Sequence, residues 1–114
     1  MHELSIAMEI LGIVRRESSS HGARVVTKVR LRIGDLSGVE TDSLSFCFDA
    51  VKGEDILTAE AALEIEKVPV RILCHSCEEE FPSDGHGVTC PSCGGFDTTL
   101  LQGEELEIAD MEIE

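Results

Sequence analysis

Residues 74–95, CHSCEEEFPSDGHGVTCPSCGG, decide how this chain folds. Two Cys-x-x-Cys pairs stand in this stretch, with twelve residues between the inner cysteines. A two-residue spacing lets both thiolates of one knuckle reach a single ion, and a loop of this length brings the second pair opposite the first. The pattern predicts a closed, tetrahedral, structural zinc site with Cys74, Cys77, Cys90 and Cys93 as its ligands.

Two other uses of the same thiols compete with zinc. A thiol–disulfide enzyme needs a cysteine of low pKa in an electropositive setting, whereas the run CEEEF supplies carboxylates, which raise the pKa of a thiol. A rubredoxin-like iron centre uses the same ligand set, and spacing alone does not exclude it. His75 and His86 lie within the stretch, but a saturated tetrahedral site does not accept both, so we expect solvated loop histidines.

Composition and charge narrow the class of protein. At 114 residues the chain forms one compact domain, or one domain with a small satellite. Nine Lys and Arg against 23 Asp and Glu give a net charge of −14. Because such a chain repels phosphate backbones, nucleic acid is excluded as a partner, and cations or basic protein surfaces remain.

The same pass along the chain predicts the compartment. No run approaches the roughly 20 apolar residues that span a bilayer, and the start lacks the basic region of a signal peptide. We therefore expect a cytoplasmic protein that does not associate with membranes. In a reducing compartment, paired cysteines favour metal ligands over structural disulfides.

The remaining patterns predict helices and strands in mixed order. Apolar residues recur at helical spacing from Leu4 to Val14, and that helix is predicted to end near RRESSSHG. The stretch RVVTKVRLRIGDLSG alternates apolar and basic residues, which is typical of a half-buried strand. A second helix follows with Thr41 or Asp42 as its N-cap, and Cys47 on its apolar face is predicted to be a buried structural thiol.

Two later strands change phase. The stretch AALEIEKVPVRILC slips near Pro69, which indicates a bulge, a strand edge, or a strand that leaves one core and enters another. The stretch EELEIADMEIE slips near Ala109, where we expect this strand to re-enter the sheet. We predict an α+β fold: two helices on a three-stranded mixed sheet, with a Cys₄ zinc ribbon inserted between the second and third strands. Residues 1–70 and 100–114 are the predicted α/β domain, and 71–99 the zinc-ribbon domain.

The first residues of the chain, MHEL, allow a second metal site. The amine of Met1, the backbone nitrogen of His2 and the His2 imidazole can form fused chelate rings around one ion. Deprotonation of an amide nitrogen favours Cu²⁺ or Ni²⁺ in tetragonal nitrogen geometry. Glu3 can add its amide nitrogen or its carboxylate. A solvated terminal histidine is the competing interpretation of the same residues.

At this point the whole chain resembles the HypA/HybF family of nickel metallochaperones in [NiFe]-hydrogenase maturation. The resemblance rests on "MHELS", "RIGDLSG" leading to "FCFDAV", "LEIEKVPVRILC", the two Cys-x-x-Cys pairs and "GEELEI". It implies nickel at His2 with Glu3 assisting, and zinc on the four cysteines. It also implies carriage without catalysis, with delivery of nickel to the hydrogenase large subunit alongside a HypB-type GTPase.

Other functions stay open at this stage. A structural zinc-ribbon interaction adaptor without nickel transfer is the main alternative, and a thiol redox enzyme is the third. The expected assembly state is a monomer or a weak homodimer.

Overall fold

The computed structural model describes residues 2–83 and 89–114. The chain divides into two compact units: Met1–Arg32, Gly38–Glu66 and Glu107–Glu114 form the first, and Ile33–Ser37 with Lys67–Leu106 form the second. The elements in chain order are α1 (Glu3–Ser20), β1 (Val26–Gly34), α2 (Thr41–Val51), a 3₁₀ turn (Lys52–Glu54), β2 (Ala62–Val68), β3 (Arg71–Cys74), β4 (Glu80–Pro82), β5 (Thr98–Gln102) and β6 (Leu106–Ile113).

Helix α1 ends within the stretch RRESSSHG, as predicted, six residues beyond the last apolar residue of its pattern, Val14. It continues to Ser20 because Ser18 faces the interior, where its hydroxyl donates to Met111 Sδ at 3.3 Å. The helix ends where Gly22 takes a φ of +70°. The N–H of Ala23 then donates to the carbonyl of Ser18, which satisfies one of the last carbonyls of the helix.

Helix α2 begins with a cap that the sequence does not reveal. Glu40 is the N-cap, and its carboxylate accepts the backbone N–H groups of Asp42 and Ser43, so the prediction of Thr41 or Asp42 as the cap is wrong. The longer side chain of Glu40 reaches both orphan donors of the first turn. Cys47 is half-buried rather than buried, whereas the helix buries Leu44 and Phe48 fully.

The first sheet has the strand order β2-β1-β6. Ion pairs on its outer face show that β1 and β2 are parallel, because Arg30 bonds Glu64 at 3.0 Å and Arg32 bonds Glu66 at 3.2 Å in the same order along both strands.

Strand β6 runs antiparallel to β1. Arg30 bonds Asp110 at 2.6 Å while Arg32 bonds the earlier Glu107 at 2.8 Å, so the order is reversed. Glu107 and Asp110 are three residues apart and still lie on one face, which locates the phase slip inside β6. The prediction that the strand enters the sheet near Ala109 is therefore wrong, because β6 already begins before it. The predicted mixed three-stranded sheet is confirmed.

The inner face of the first sheet supplies its core. Val29, Leu31 and Ile33 of β1 are buried. Helices α1 and α2 pack against each other, and each buries its own apolar face. No helix among the described residues combines the length and the hydropathy needed to cross a bilayer.

The second unit has its own sheet, with the order β4-β3-β5 and antiparallel pairing on both sides of β3. The phase slip near Pro69 separates β2 in the first sheet from β3 in the second, which confirms the change of core as its cause. Apolar residues and two of the cysteines form the small core of this unit: Val70, Ile72, Cys74, Phe81 and Cys90. The division into an α/β domain and a zinc-ribbon domain at 70/71 and 99/100 stays a prediction.

Two glycines of the second unit meet at a close backbone approach. Leu36 N–H donates to the carbonyl of Gly103 at 2.7 Å, and Gly34 N–H donates to that of Glu105 at 2.8 Å. A Cβ at Gly34 would lie 2.1 Å from backbone atoms of Gly103. Only glycine therefore fits where the RIGDLSG turn begins.

Candidate metal centre

The structure brings the four predicted cysteines together. Cys74 lies at the end of β3, and the loop between β4 and β5 returns Cys90 and Cys93 to it. Their sulfurs all lie within 4.8 Å of one another. Cys74 Sγ is 3.6 Å from Cys93 Sγ, and Cys77 Sγ is 3.6 Å from Cys90 Sγ, so each close contact joins one knuckle to the other.

These distances fit a shared tetrahedral ion. Zinc–thiolate bonds of about 2.3 Å place the sulfurs of a regular tetrahedron about 3.8 Å apart. A disulfide would bring two sulfurs to about 2.05 Å. The observed separations match the edges of a metal tetrahedron. Cys74 and Cys90 are buried, whereas Cys77 and Cys93 are exposed. The four sulfurs therefore form a metal-binding centre.

The two knuckles have the same backbone geometry although their sequences differ. In the first, Glu78 N–H donates to the Cys74 carbonyl at 2.8 Å, and in the second Gly94 N–H donates to the Cys90 carbonyl at 2.8 Å. A second backbone hydrogen bond is also repeated, with the residue two positions after the second cysteine of each knuckle as its acceptor. The N–H of Cys74 donates to Glu79 O at 2.9 Å, and that of Cys90 donates to Gly95 O at 3.0 Å.

This repeat forces one unfavourable backbone conformation. Gly94 has a φ of +73°, which costs a glycine nothing. Glu78 occupies the equivalent position with a φ of +64°, and it is the one non-glycine residue with positive φ in the described part of the chain. The CEEEF sequence gives no sign of this, because the requirement arises only when the Glu78 N–H closes the knuckle onto the Cys74 carbonyl.

Backbone donors set the pKa values of the thiols. The Cys77 N–H is the largest cause that lowers the pKa of Cys74 to about 7. The Glu79 N–H lowers the pKa of Cys77, but burial of the thiol and the neighbouring cysteines together raise it to about 12. The predicted rise in thiol pKa is therefore wrong for Cys74, where hydrogen bonds outweigh the burial of the thiol. Its burial keeps the sulfur away from disulfide substrates.

The histidines beside the cysteines are not part of the cluster where the structure describes them. His75 is exposed, and its Nε2 lies 2.6 Å from Thr99 Oγ1. This contact supports the prediction of a loop histidine. His86 lies outside the described residues.

The two residues predicted to hold nickel lie where α1 begins. His2 is exposed, and its carbonyl accepts the Ile6 N–H at 3.2 Å as the first bond of the helix. Glu3 Oε2 accepts the backbone N–H of Glu40 at 3.1 Å. Met1 lies outside the described residues. Within the described ranges, the four cysteines are the one group of three or more potential ligand side chains brought together, and His2 and Glu3 do not belong to it.

An α/β unit and a four-thiolate centre on two knuckles define a class, the small metal-binding proteins with a metal-stabilised module. The family model described as "Hydrogenase/urease nickel incorporation, metallochaperone, hypA" matches residues 1–113. The chain therefore belongs to the HypA family of nickel-incorporation metallochaperones, which are maturation factors rather than enzymes. The family resemblance read from the sequence is confirmed.

Curated relatives and solved structures agree with this assignment. The chain is 44% identical to the hydrogenase maturation factor HypA of Geobacter metallireducens over 114 residues, all of both chains. It is 34% identical to the same factor of Dehalococcoides mccartyi strain 195, covering all of this chain and 95% of the relative. The solution structure of the Ni metallochaperone HypA from Helicobacter pylori has a TM-score of 0.70 at 21% identity, with 99% and 97% of the two chains covered. That likeness confirms the fold.

Proposed function

We propose that this protein binds Ni²⁺ at its N-terminus through His2, with Glu3 assisting, and delivers it to the large subunit of a [NiFe]-hydrogenase. A HypB-type GTPase is the proposed partner, and the cytoplasm the proposed compartment. The observation that carries the proposal is the exposed imidazole of His2 at the start of α1, in a chain whose family incorporates nickel.

The start of a helix suits an amide-nitrogen site. The first N–H groups of a helix are not used by its own i→i−4 bonds, and the first such bond in α1 comes from Ile6. Deprotonation of the His2 or Glu3 amide therefore breaks no bond of the helix ladder. The positive end of the helix dipole favours the resulting negative charge, and two such amides neutralise the charge of Ni²⁺.

Glu3 has a structural task as well as a proposed metal role. Its carboxylate holds the backbone N–H of Glu40, the residue that caps α2. Glu3→Gln keeps an oxygen acceptor and removes the charge, whereas Glu3→Ala removes both. If Glu3 assists nickel through its amide nitrogen, Gln retains nickel affinity and Ala weakens it indirectly. If the carboxylate is a ligand, Gln and Ala lose nickel to the same degree.

Nickel titration of the untagged protein tests the site. His2→Ala is expected to eliminate nickel binding, and His21→Ala is the matched control, because His21 is an exposed histidine at the other end of α1. One residue added before Met1 separates two geometries. It weakens binding if the terminal amine is a ligand and leaves it intact if the His2 and Glu3 amides suffice. Nickel binding that survives His2→Ala unchanged would refute the proposal.

For the four-cysteine centre we propose zinc in a structural role. The sulfur-only ligand set and the closed tetrahedral geometry support this ion. Metal binding supplies folding free energy to so small a module, so Cys74→Ala should loosen the second unit while His2 still binds nickel. Native mass spectrometry with and without added Ni²⁺ counts both metals and the subunits, for which we expect a monomer or a weak homodimer. Cys74→Ala that removed nickel and kept zinc would reverse the two assignments.

A second function is favoured by the contact between Glu3 and Glu40. That contact gives Glu3 a purely structural role, because it ties α1 to the cap of α2. A zinc-ribbon adaptor without nickel transfer would then explain the same residues. The adaptor would retain zinc and show no Ni²⁺ binding in the titration above, whereas the metallochaperone binds both.

A further inference from the structure

Strand β6 has a free edge. In the part of the chain that the structure describes, the sheet order β2-β1-β6 gives β6 a partner on one side only. The backbone N–H and C=O groups of its other side point away from the sheet along eight residues. Such an edge is a template for another strand unless the protein blocks it.

The outer face of this sheet carries charges in rows. Glu64 and Glu66 of β2 form an acidic row, and Arg30 and Arg32 of β1 form the basic row beside it. The next row, on β6, is acidic again and shares the same two arginines: Glu107, Asp110 and Glu112. Residues 103–114 contain six carboxylates and no Lys or Arg. A further strand that continued this alternation beyond β6 would therefore present basic side chains on the outer face.

A groove lies beside β6 on the opposite face. It has a volume of about 230 Å³ and is lined by Met111 and Ile113 of β6 and by Glu17, Ser18 and His21 at the end of α1. Ile113 is 37% exposed there. A strand added at this edge would turn alternate side chains into the groove, since side chains of a strand alternate between the two faces.

We propose that the free edge of β6 binds a basic, extended segment of a partner protein by strand addition. Lys or Arg side chains of the segment lie on the outer face against the carboxylates of β6, and its apolar side chains enter the groove next to α1. Backbone hydrogen bonds hold such a strand, and the alternate side chains give it specificity. None of the residues that form this surface is a predicted metal ligand, so the inference does not depend on the nickel assignment.

The chain itself contains a strand of the required chemistry. β1 pairs with the other edge of β6, with Arg30 and Arg32 outward and Leu31 and Ile33 buried. The proposed segment repeats that pattern on the free edge. A second copy of β6 does not, because it would set one acidic row against another. The same acidity thus opposes the pairing of two copies through β6 and favours a basic partner. β2 is the poorer edge, since Lys67 adds a positive charge to it.

The test uses the zinc-loaded full chain without added nickel and a peptide of known sequence. The probe is a capped, fluorescein-labelled copy of residues 24–33, RVVTKVRLRI, whose binding is followed by fluorescence anisotropy. In one control peptide Glu replaces each Lys and Arg, and in the other the backbone amides are N-methylated. Of the three peptides, we expect only the unmodified probe to bind, and its binding should newly protect the amides of β6 from hydrogen exchange. Equal binding of the N-methylated peptide would mean diffuse ionic association and would overturn strand addition.

Two isoleucine variants complete the test. Ile113→Gln places a polar group in the groove and should weaken binding of the probe about fivefold, from the lost apolar contact. Ile56→Gln is the matched control, because Ile56 is 88% exposed and does not line the groove. Equal effects of the two variants, or protection on β2 in place of β6, would overturn the assignment. The assignment would also be overturned if β6 were protected before any peptide is added and sedimentation showed dimers, because a second copy would then be the partner.

Discussion

Substitutions at equivalent positions of the two cysteine knuckles should change the affinity for the proposed zinc ion in opposite directions. Glu78 and Gly94 both have left-handed φ values, +64° and +73°. Each donates its N–H to the first cysteine carbonyl of its own knuckle. Glu78→Gly relieves the conformation of an L-residue, and Gly94→Ala imposes it. No other contact changes at Gly94, because a Cβ there meets nothing within 4 Å.

The magnitudes follow from the backbone. The left-handed region costs an L-residue about 1–2 kcal/mol. Replacing glycine by alanine returns about 0.4–1 kcal/mol by restricting the unfolded chain, so Gly94→Ala should destabilise the knuckle by about 1 kcal/mol. Glu78→Gly should stabilise it by about 0.5–1 kcal/mol, after the extra entropy of an unfolded glycine is subtracted. Because metal binding and folding are coupled in such a module, about 1 kcal/mol appears as about a fivefold change in zinc affinity.

Competition with a chromophoric chelator at fixed pH measures the apparent zinc dissociation constant. Gly94→Ala is expected to raise it about fivefold, and Glu78→Gly to lower it about threefold. Glu79→Gly is the control, because it removes the same charge from the neighbouring residue, whose φ is not positive. If both Glu→Gly variants tighten zinc equally, charge and not backbone conformation is the cause. A neutral Gly94→Ala would refute the strain argument outright.

Three further outcomes are expected. Gly34→Ala should lower the free energy of unfolding by about 3 kcal/mol in chemical denaturation, because its Cβ would overlap the backbone of Gly103. Gly53→Ala is the control and should be nearly neutral, because Gly53 has open space around it. The apparent affinity for the proposed zinc ion should fall as the pH is lowered, and more steeply below about pH 7, the lowered pKa of Cys74. Above that value the metal-free Cys74 is already a thiolate, whereas below it one more proton competes with the metal. Chelator competition across pH measures the change of slope. Arg30→Gln should lower the melting temperature more at low salt than at high salt, because it leaves three carboxylates facing one another; an effect independent of salt would contradict the ion-pair account.

The sequence alone determined the features that depend on local spacing. Two Cys-x-x-Cys pairs predicted the ligand set of the metal centre, because the chelate of a knuckle closes within four residues. Alternation in β1 predicted its buried and exposed faces from Lys28 to Ile33, since side-chain direction in a strand follows residue number. It did not predict the burial of Val26, which is out of phase with these residues. The two helices and the family resemblance followed from the same kind of pattern and were confirmed.

Tertiary structure decided whatever depends on residues distant in sequence. Periodicity showed that the chain slips near Pro69, but only strand pairing assigned its two sides to different sheets. The cap of α2 and the carboxylate of Glu3 meet across 37 positions of sequence, a contact that no local pattern encodes. The positive φ of Glu78 likewise exists because closing the knuckle requires it. Local preference selects the face a residue presents, whereas the partner on that face is set by chain folding, which brings distant backbone donors and charges within bonding distance.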